Sequence, residues 1–210
     1  MRITGAMAKR QARYLARTVR AVAAEPSLAR ELPRLIGTGG RSTVTLRCPW
    51  LPFRLIDQLD AFLGPDAMVF EYGGGGSTLW FLDHGATVVT VEHHHEWASR
   101  LSGLISSPRW KLLERSSEDN YRAYVSAITD HPPRSFDVVV VDGRERARCA
   151  MAALDHVRPG GWLIVDDVDR ERYADALRGI TWPRRDVVGF APAKPSLAYT
   201  AVFERPPDRG

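Results

Sequence analysis

The chain has 210 residues, 44% hydrophobic and 26% charged, with a formal net charge of +4. That length suits one α/β domain with a full core, and the composition excludes a disordered chain. No run approaches the roughly 18 apolar residues of a membrane span. Two cysteines, Cys48 and Cys149, without CxxC spacing or a secretory signal pattern, argue against a disulfide scaffold or a cysteine zinc site. The expected location is the cytoplasm.

Residues 1–48 read as an N-terminal helical extension, broken at Pro26 and again at Gly37–Gly40. Residues 1–40 hold eight basic and two acidic side chains, a net +6. Arg10, Arg13, Arg17 and Arg20 share one helical face, and Leu15, Val19 and Val22 lie roughly opposite. Such a helix can touch nucleic acid, an anionic membrane or a partner subunit. Its ordinary reading is a solvated face on a helix that packs on its own domain, acts as a lid, or contacts a second copy in a homodimer.

Residues 49–210 read as the main domain. A helix follows Pro49, with Pro52 in its first turn and Leu55, Ile56, Leu59, Phe62 and Leu63 as its apolar stripe. Gly64-Pro65 ends it. Strands are predicted at 67–72, 87–92, 110–114, 136–141 and 161–166, with helices between them, the clearest at 144–156. Near-continuous Val, Ile and Leu runs suit strands covered on both faces. The two β-rich runs near the end, RDVVGFAP and AYTAVFER, read as an antiparallel hairpin closing the sheet edge. The fold class is therefore α/β. We expect a Rossmann-like, doubly wound, mostly parallel seven-stranded sheet with a C-terminal antiparallel hairpin, preceded by helices.

The first strand runs into EYGGGGSTLW, a glycine-rich turn that opens a helix. Glycines there let a ligand approach the backbone, and the helix start offers unpaired N–H groups. The dinucleotide pattern G-x-G-x-x-G fails, because Thr78 follows Gly73 and Gly75, and Leu79 follows Gly74 and Gly76, in the third place. No Lys-Ser/Thr follows for a phosphate loop. An acid near the glycines, Glu71, resembles the first motif of class I S-adenosylmethionine-dependent methyltransferases. The resemblance covers about residues 50–204. It implies that Gly73, Gly75 and Ser77 underlie the methionine part of the cofactor and that Glu71 meets its α-amino group, directly or through water.

Glu92 ends the second strand, about 20 residues after the glycines, where a carboxylate reaches ribose hydroxyls. The resemblance sets His93 beside the adenine and places Ser117 and Glu118 near it. Three adjacent histidines do not converge easily on one ion, so His94 and His95 read as surface residues of the next helix.

Asp142 follows the fourth strand, and Asp166 and Asp167 follow the fifth. Three carboxylates at neighbouring strand tips repel one another unless a cation sits between them, and a hard divalent ion answers that need. The trio resembles that of metal-dependent O-methyltransferases of the catechol and macrocin types. The resemblance implies Mg2+ on Asp142, Asp166 and Asp167, with Asp142 or Glu145 as base. Otherwise Asp142 contacts cofactor or acceptor and the pair caps the next helix. Arg144, Arg170 and Tyr173 are the candidate acceptor contacts. The expected reaction is methyl transfer from S-adenosylmethionine to a hydroxyl of a small molecule, a saccharide end such as a mannoside of a methylmannose polysaccharide, or a natural product. Three other readings stay open. One is a nucleic-acid methyltransferase using the basic helix, which lacks an Asn-Pro-Pro-Tyr motif or a suitably placed cysteine. Another is a non-catalytic nucleotide-ligand binder. The last is a nicotinamide dehydrogenase, disfavoured by the broken glycine pattern.

Overall fold

The computed structural model describes residues 5–170, 173–194 and 196–208. Helix α1 spans Gly5–Ala24, followed by a 3-10 turn at Pro26–Glu31, α2 at Leu32–Thr38 and a short α3 at Thr43–Leu46. Helix α4 (Phe53–Phe62) then leads into β1 (Met68–Tyr72), α5 (Gly76–Asp83), β2 (Thr87–Glu92), α6 (His95–Leu104) and β3 (Trp110–Glu114). The second half holds α7 (Arg122–Ser126), β4 (Phe136–Val141), α8 (Arg146–Ala153), β5 (Val157–Val165), α9 (Ala174–Arg178), β6 (Arg184–Phe190) and β7 (Leu197–Glu204).

The seven strands form one sheet in the order β3-β2-β1-β4-β5-β7-β6. The first five are parallel, and β7 runs antiparallel to both β5 and β6. The predicted hairpin is present, but its last strand inserts beside β5, which leaves β6 at the edge. The fifth strand begins at Val157, earlier than the predicted 161, because Val157 pairs with Phe136 before a register shift. Gly161 permits this: a Cβ there would lie 2.8 Å from the carbonyls of Arg158 and Asp137.

Strand alternation divides the core. Phe70, Tyr72, Val139 and Val141 face a layer containing Tyr124, Cys149, Ala153 and Leu177. Val69, Val88, Val138 and Ile164 face Leu55, Leu59, Trp80 and Phe81 on the other side. The order reverses between β1 and β4, so the carboxyl ends of the central strands open into a crevice where α/β sheets bind ligands.

Among the described side chains of α1, those that pack on this core, Ala21 and Val22, lie in its last turn. Leu15 and Val19 are exposed, so the expected apolar face is not buried along its length. The side chains of Arg10, Arg13 and Arg17 lie outside the described residues. No described helix is long and apolar enough to cross a membrane.

The residues after α1 are tied to the sheet through Glu31. This buried carboxylate accepts from the Phe190 backbone N–H at 2.8 Å and from Arg54 Nε at 2.9 Å. Removing it orphans a buried donor, a loss of about 1–3 kcal/mol. We therefore expect Glu31→Ala to lower the melting temperature by about 3–10 °C for a chain of this size. An unchanged melting curve would show that the contact carries no stability.

Candidate active site

Crossing the sheet from β1 to β5, the strand tips surround a single cavity of about 1140 Å³. Its floor is the Gly73–Gly76 turn between β1 and α5. Gly73 has φ +92, which disfavours a side chain, and a Cβ there would press on Gly143 at 3.2 Å. A Cβ on Gly76 would strike the carbonyls of Thr43 and Cys48, both 2.4 Å away. The turn thus closes against β4 on one side and α3 on the other, with its backbone bare toward the cavity.

Glu71 does not reach the cavity wall. Odd positions of β1 point to the α5 side, so its fully buried carboxylate lies behind the glycine turn. Oε2 accepts from Thr78 Oγ1 at 2.7 Å, and the same hydroxyl accepts from the Gly75 N–H at 3.0 Å. Oε1 finds no well-aligned hydrogen-bond partner. The relay pins the turn from beneath, and burial behind the turn leaves the expected contact with a cofactor amine, direct or through water, no open path along the cavity wall.

Glu92 sits at the cavity edge. Its Oε1 accepts from the backbone N–H groups of His93 and His94 at 2.8 and 2.9 Å, which fixes the carboxylate. His93 also lines the cavity, with Tyr121 facing it at 5.5 Å between ring centroids. Trp97 from α6 donates its indole N–H to the Gly74 carbonyl at 2.8 Å and clamps the turn. Ser77 lines the cavity; Ser117 and Glu118 do not. The segment after β3 enters the cavity instead through Tyr121, whose φ of 59 puts it in the left-handed region. His94 caps α6 and His95 pairs with Glu114, so the histidine triplet does not gather around one ion.

Opposite the nucleoside-like end lie Asp142, Arg144, Glu145, Asp166, Asp167, Arg170 and Tyr173, all on the cavity wall. The three aspartates do converge, but around Arg146. Its guanidinium lies 2.9 Å from Asp142, 3.0 Å from Asp167 and 3.9 Å from Asp166. Lys194 and Arg170 both reach Asp167, at 3.2 and 2.5 Å, while Asp166 Oδ1 accepts from Thr200 at 2.5 Å. Among the described residues, no three His, Cys, Asp or Glu side chains are placed to hold a metal ion. The donor set expected for Mg2+ therefore does not fit one, because a protein cation occupies the point where the carboxylates meet. Arg172 lies outside the described residues.

Burial, then the nearby Asp166, raises Asp142 above the usual carboxylate range. Asp166 is raised by burial as well. Burial acts against Asp167 too, but Arg146 and Lys194 outweigh it and hold that carboxyl low. Asp142 nevertheless keeps 30% of its side chain accessible, facing the cavity, whereas Asp166 keeps 4%. Glu145 pairs with Arg148 at 3.3 Å. Tyr121, Glu145 and Asp167 are cavity residues in left-handed backbone, which points to a site held in shape at some local cost.

Nothing in the sequence signals that Trp50, Trp97, Tyr121 and Lys194 reach the cavity wall, and Arg146 joins them there. Only Arg146 had a local signal, since it follows Asp142 by one helical turn.

Burial pushes Glu71 up to about 7, against the Ser77, Thr78 and Thr90 hydroxyls that lower it. An unfolded glutamate titrates near 4.3, so the native state holds this proton more tightly. The stabilisation is complete below that lower value and disappears as pH rises through about 7. Between pH 4.5 and 7.5 the wild type should lose about 3 kcal/mol more than Glu71→Gln in denaturant melts. Parallel stability curves for the two proteins would contradict this.

A family model for methyltransferase domains matches residues 70–168, which span the glycine turn and the three aspartates. No curated protein matches the chain significantly. Among solved structures, a methyltransferase-like protein from Silicibacter pomeroyi is 21% identical, covering 77% of this chain and 93% of its own, with a TM-score of 0.52. A SAM-dependent methyltransferase from Archaeoglobus fulgidus is 9% identical, covering 78% and 95%, with a TM-score of 0.55. A precorrin-6y C5,15-methyltransferase from Geobacter metallireducens is 11% identical, covering 72% and 87%, with a TM-score of 0.53. These likenesses concern the fold, and the domain match concerns the segment that builds the cavity floor. Together they show a methyltransferase domain over residues 70–168, set in a fold that solved methyltransferases share.

Proposed function

We propose that this enzyme transfers a methyl group from S-adenosylmethionine to a hydroxyl of a small molecule, with Asp142 taking the hydroxyl proton. The observation that carries the reading is the continuity of the cavity. One end is a bare glycine turn beside a fixed carboxylate, and the other is a cluster of aspartates with raised and lowered affinities for protons. Its volume of about 1140 Å³ exceeds the roughly 300–1,000 Å³ of an ordinary small-molecule site, leaving room for a second molecule beside the cofactor.

The residues present fit the cofactor's parts. Glu92 has Oε1 committed to two backbone N–H groups, so Oε2 is oriented toward ribose hydroxyls. His93 and Tyr121 offer ring faces for the base. The Gly73–Gly76 turn and the first N–H groups of α5 suit the carboxylate end. When bound, the cofactor supplies an electrophilic methyl group on a sulfonium.

The acceptor end is set by Asp142, Glu145, Arg144, Arg170 and Tyr173. Asp142 is the cavity-facing carboxyl with a raised proton affinity, which suits a general base working near neutral pH. Glu145 is held by Arg148 and is the weaker candidate. Trp50, half exposed on the wall with Lys194 Nζ 5.8 Å from its ring centre, offers a face for a sugar or aromatic ring, and Arg144 is an exposed guanidinium on the same wall. These features support a saccharide end, a mannoside included, or an oxygen-rich natural product as acceptor.

Two measurements test the reading. Glu92→Ala should weaken calorimetric binding of S-adenosylhomocysteine by about 1.5–3 kcal/mol, the worth of charged hydrogen bonds. Asp142→Asn should leave that affinity unchanged and lower the methyl-transfer rate at least about 100-fold on an acceptor from a saccharide and phenol panel. Unimpaired turnover by Asp142→Asn would remove Asp142 as the base, and unimpaired binding by Glu92→Ala would remove the ribose contact.

A further inference from the structure

The meeting of three carboxylates at the tips of β4 and β5 sets a charge problem that some cation must solve. We propose that the Arg146 guanidinium is the resident cation of this centre, held in the place of a divalent ion, and that the enzyme positions Asp142 and Asp167 without metal. This rests on the acceptor-end reading above and goes beyond it by naming what organises that end.

The guanidinium makes four hydrogen bonds and one further close ion pair with protein oxygens. Nε donates to the Gly143 carbonyl at 3.1 Å. Nη1 donates to the Asp166 carbonyl at 2.5 Å and lies 3.0 Å from Asp167 Oδ2. Nη2 donates to the Asp142 carbonyl at 3.1 Å and to Asp142 Oδ1 at 2.9 Å. Three backbone carbonyls and two carboxylates are thus drawn around one buried charge, the oxygen shell that a hard metal ion also gathers. The side chain is only 8% exposed and is delivered from the first turn of α8, so it is part of the fold rather than a mobile surface arginine. Burial works against its charge, yet Asp142, Asp166 and Asp167 more than compensate, and its proton is held more tightly than usual.

A divalent ion entering this shell would have to displace a buried guanidinium and leave it unpaired. Two further carboxylate oxygens are also committed. Asp166 Oδ1 is taken by Thr200, and Asp167 Oδ1 by Lys194. Four hydrogen bonds and the Asp167 ion pair engage the Arg146 guanidinium with the protein rather than with the acceptor. Arg146 is therefore a positioning residue: it fixes the aspartates and the Gly143 carbonyl and does not touch the reacting atoms.

The test uses Mn2+ as the divalent probe, followed by its free electron paramagnetic signal, with the full chain saturated by S-adenosylhomocysteine. The wild type should leave the Mn2+ signal equal to that of buffer into the low millimolar range. Arg146→Gln, which frees the carboxylates, should take up one Mn2+ per chain at least tenfold more tightly. Arg146→Lys should restore the wild-type indifference. Arg146→Met is a second variant should Arg146→Gln not fold, and the wild-type arm decides by itself if neither does. Uptake of one Mn2+ by the wild type, displaced by Mg2+, would overturn the proposal. So would a folded Arg146→Gln or Arg146→Met that stays as indifferent as the wild type, because the aspartates would then not form a cation site at all. Calorimetric binding of S-adenosylhomocysteine separates this failure from a failure of the cofactor reading.

Discussion

The constraint that orders this molecule is electrostatic: three aspartates meet where a parallel sheet exposes its carboxyl edge, and a buried arginine is fixed among them. Burial, and after it the neighbouring carboxylates, raises the proton affinities of Asp142 and Asp166. Arg146, Lys194 and Arg170 supply matching positive charge, and together they hold Asp167 ionised. The unequal outcome separates a cavity-facing carboxyl suited to accepting a proton from one that is a permanent anion. A pair of groups with proton affinities pushed apart is the usual sign of an acid–base division of labour.

The nucleoside end obeys a different rule. There the backbone itself is the binding surface, so the sequence must keep side chains away and hold the turn from outside. Glycines clear the space at Gly73 and Gly76, Trp97 clamps Gly74 from above, and Glu71 pins Gly75 from below through Thr78. Glu92 then projects from the next strand with its orientation set by two backbone N–H groups. The two ends share one cavity because β1 and β4 are neighbours in the sheet while their chain connections depart in opposite directions.

Much of this was legible in the residues. The Val-rich runs located five strands, and four of them match the structure to within about one residue because burial on both faces leaves little choice of residue type. The fifth began early because Val157, ahead of the Pro159-Gly160-Gly161 stretch, already pairs with Phe136 before a register shift. Glycine turn, Glu92 and the three aspartates were visible since each sits at a strand tip. What the sequence did not show was which charge neutralised the trio. A hard metal and a guanidinium satisfy the same carboxylates, and only three-dimensional placement separates them. Tyr121 and Lys194 were missed for a related reason: they reach the cavity from connections whose local pattern carries no period.

A crystal structure with S-adenosylhomocysteine, grown in millimolar Mn2+ and analysed for anomalous scattering, tests the account most directly. It predicts the nucleoside between His93 and Tyr121, its ribose on Glu92, and Arg146 still seated among Asp142, Asp166 and Asp167 with no metal peak there. A manganese peak between those aspartates with Arg146 displaced, or a nucleoside lodged away from Glu92, would contradict it.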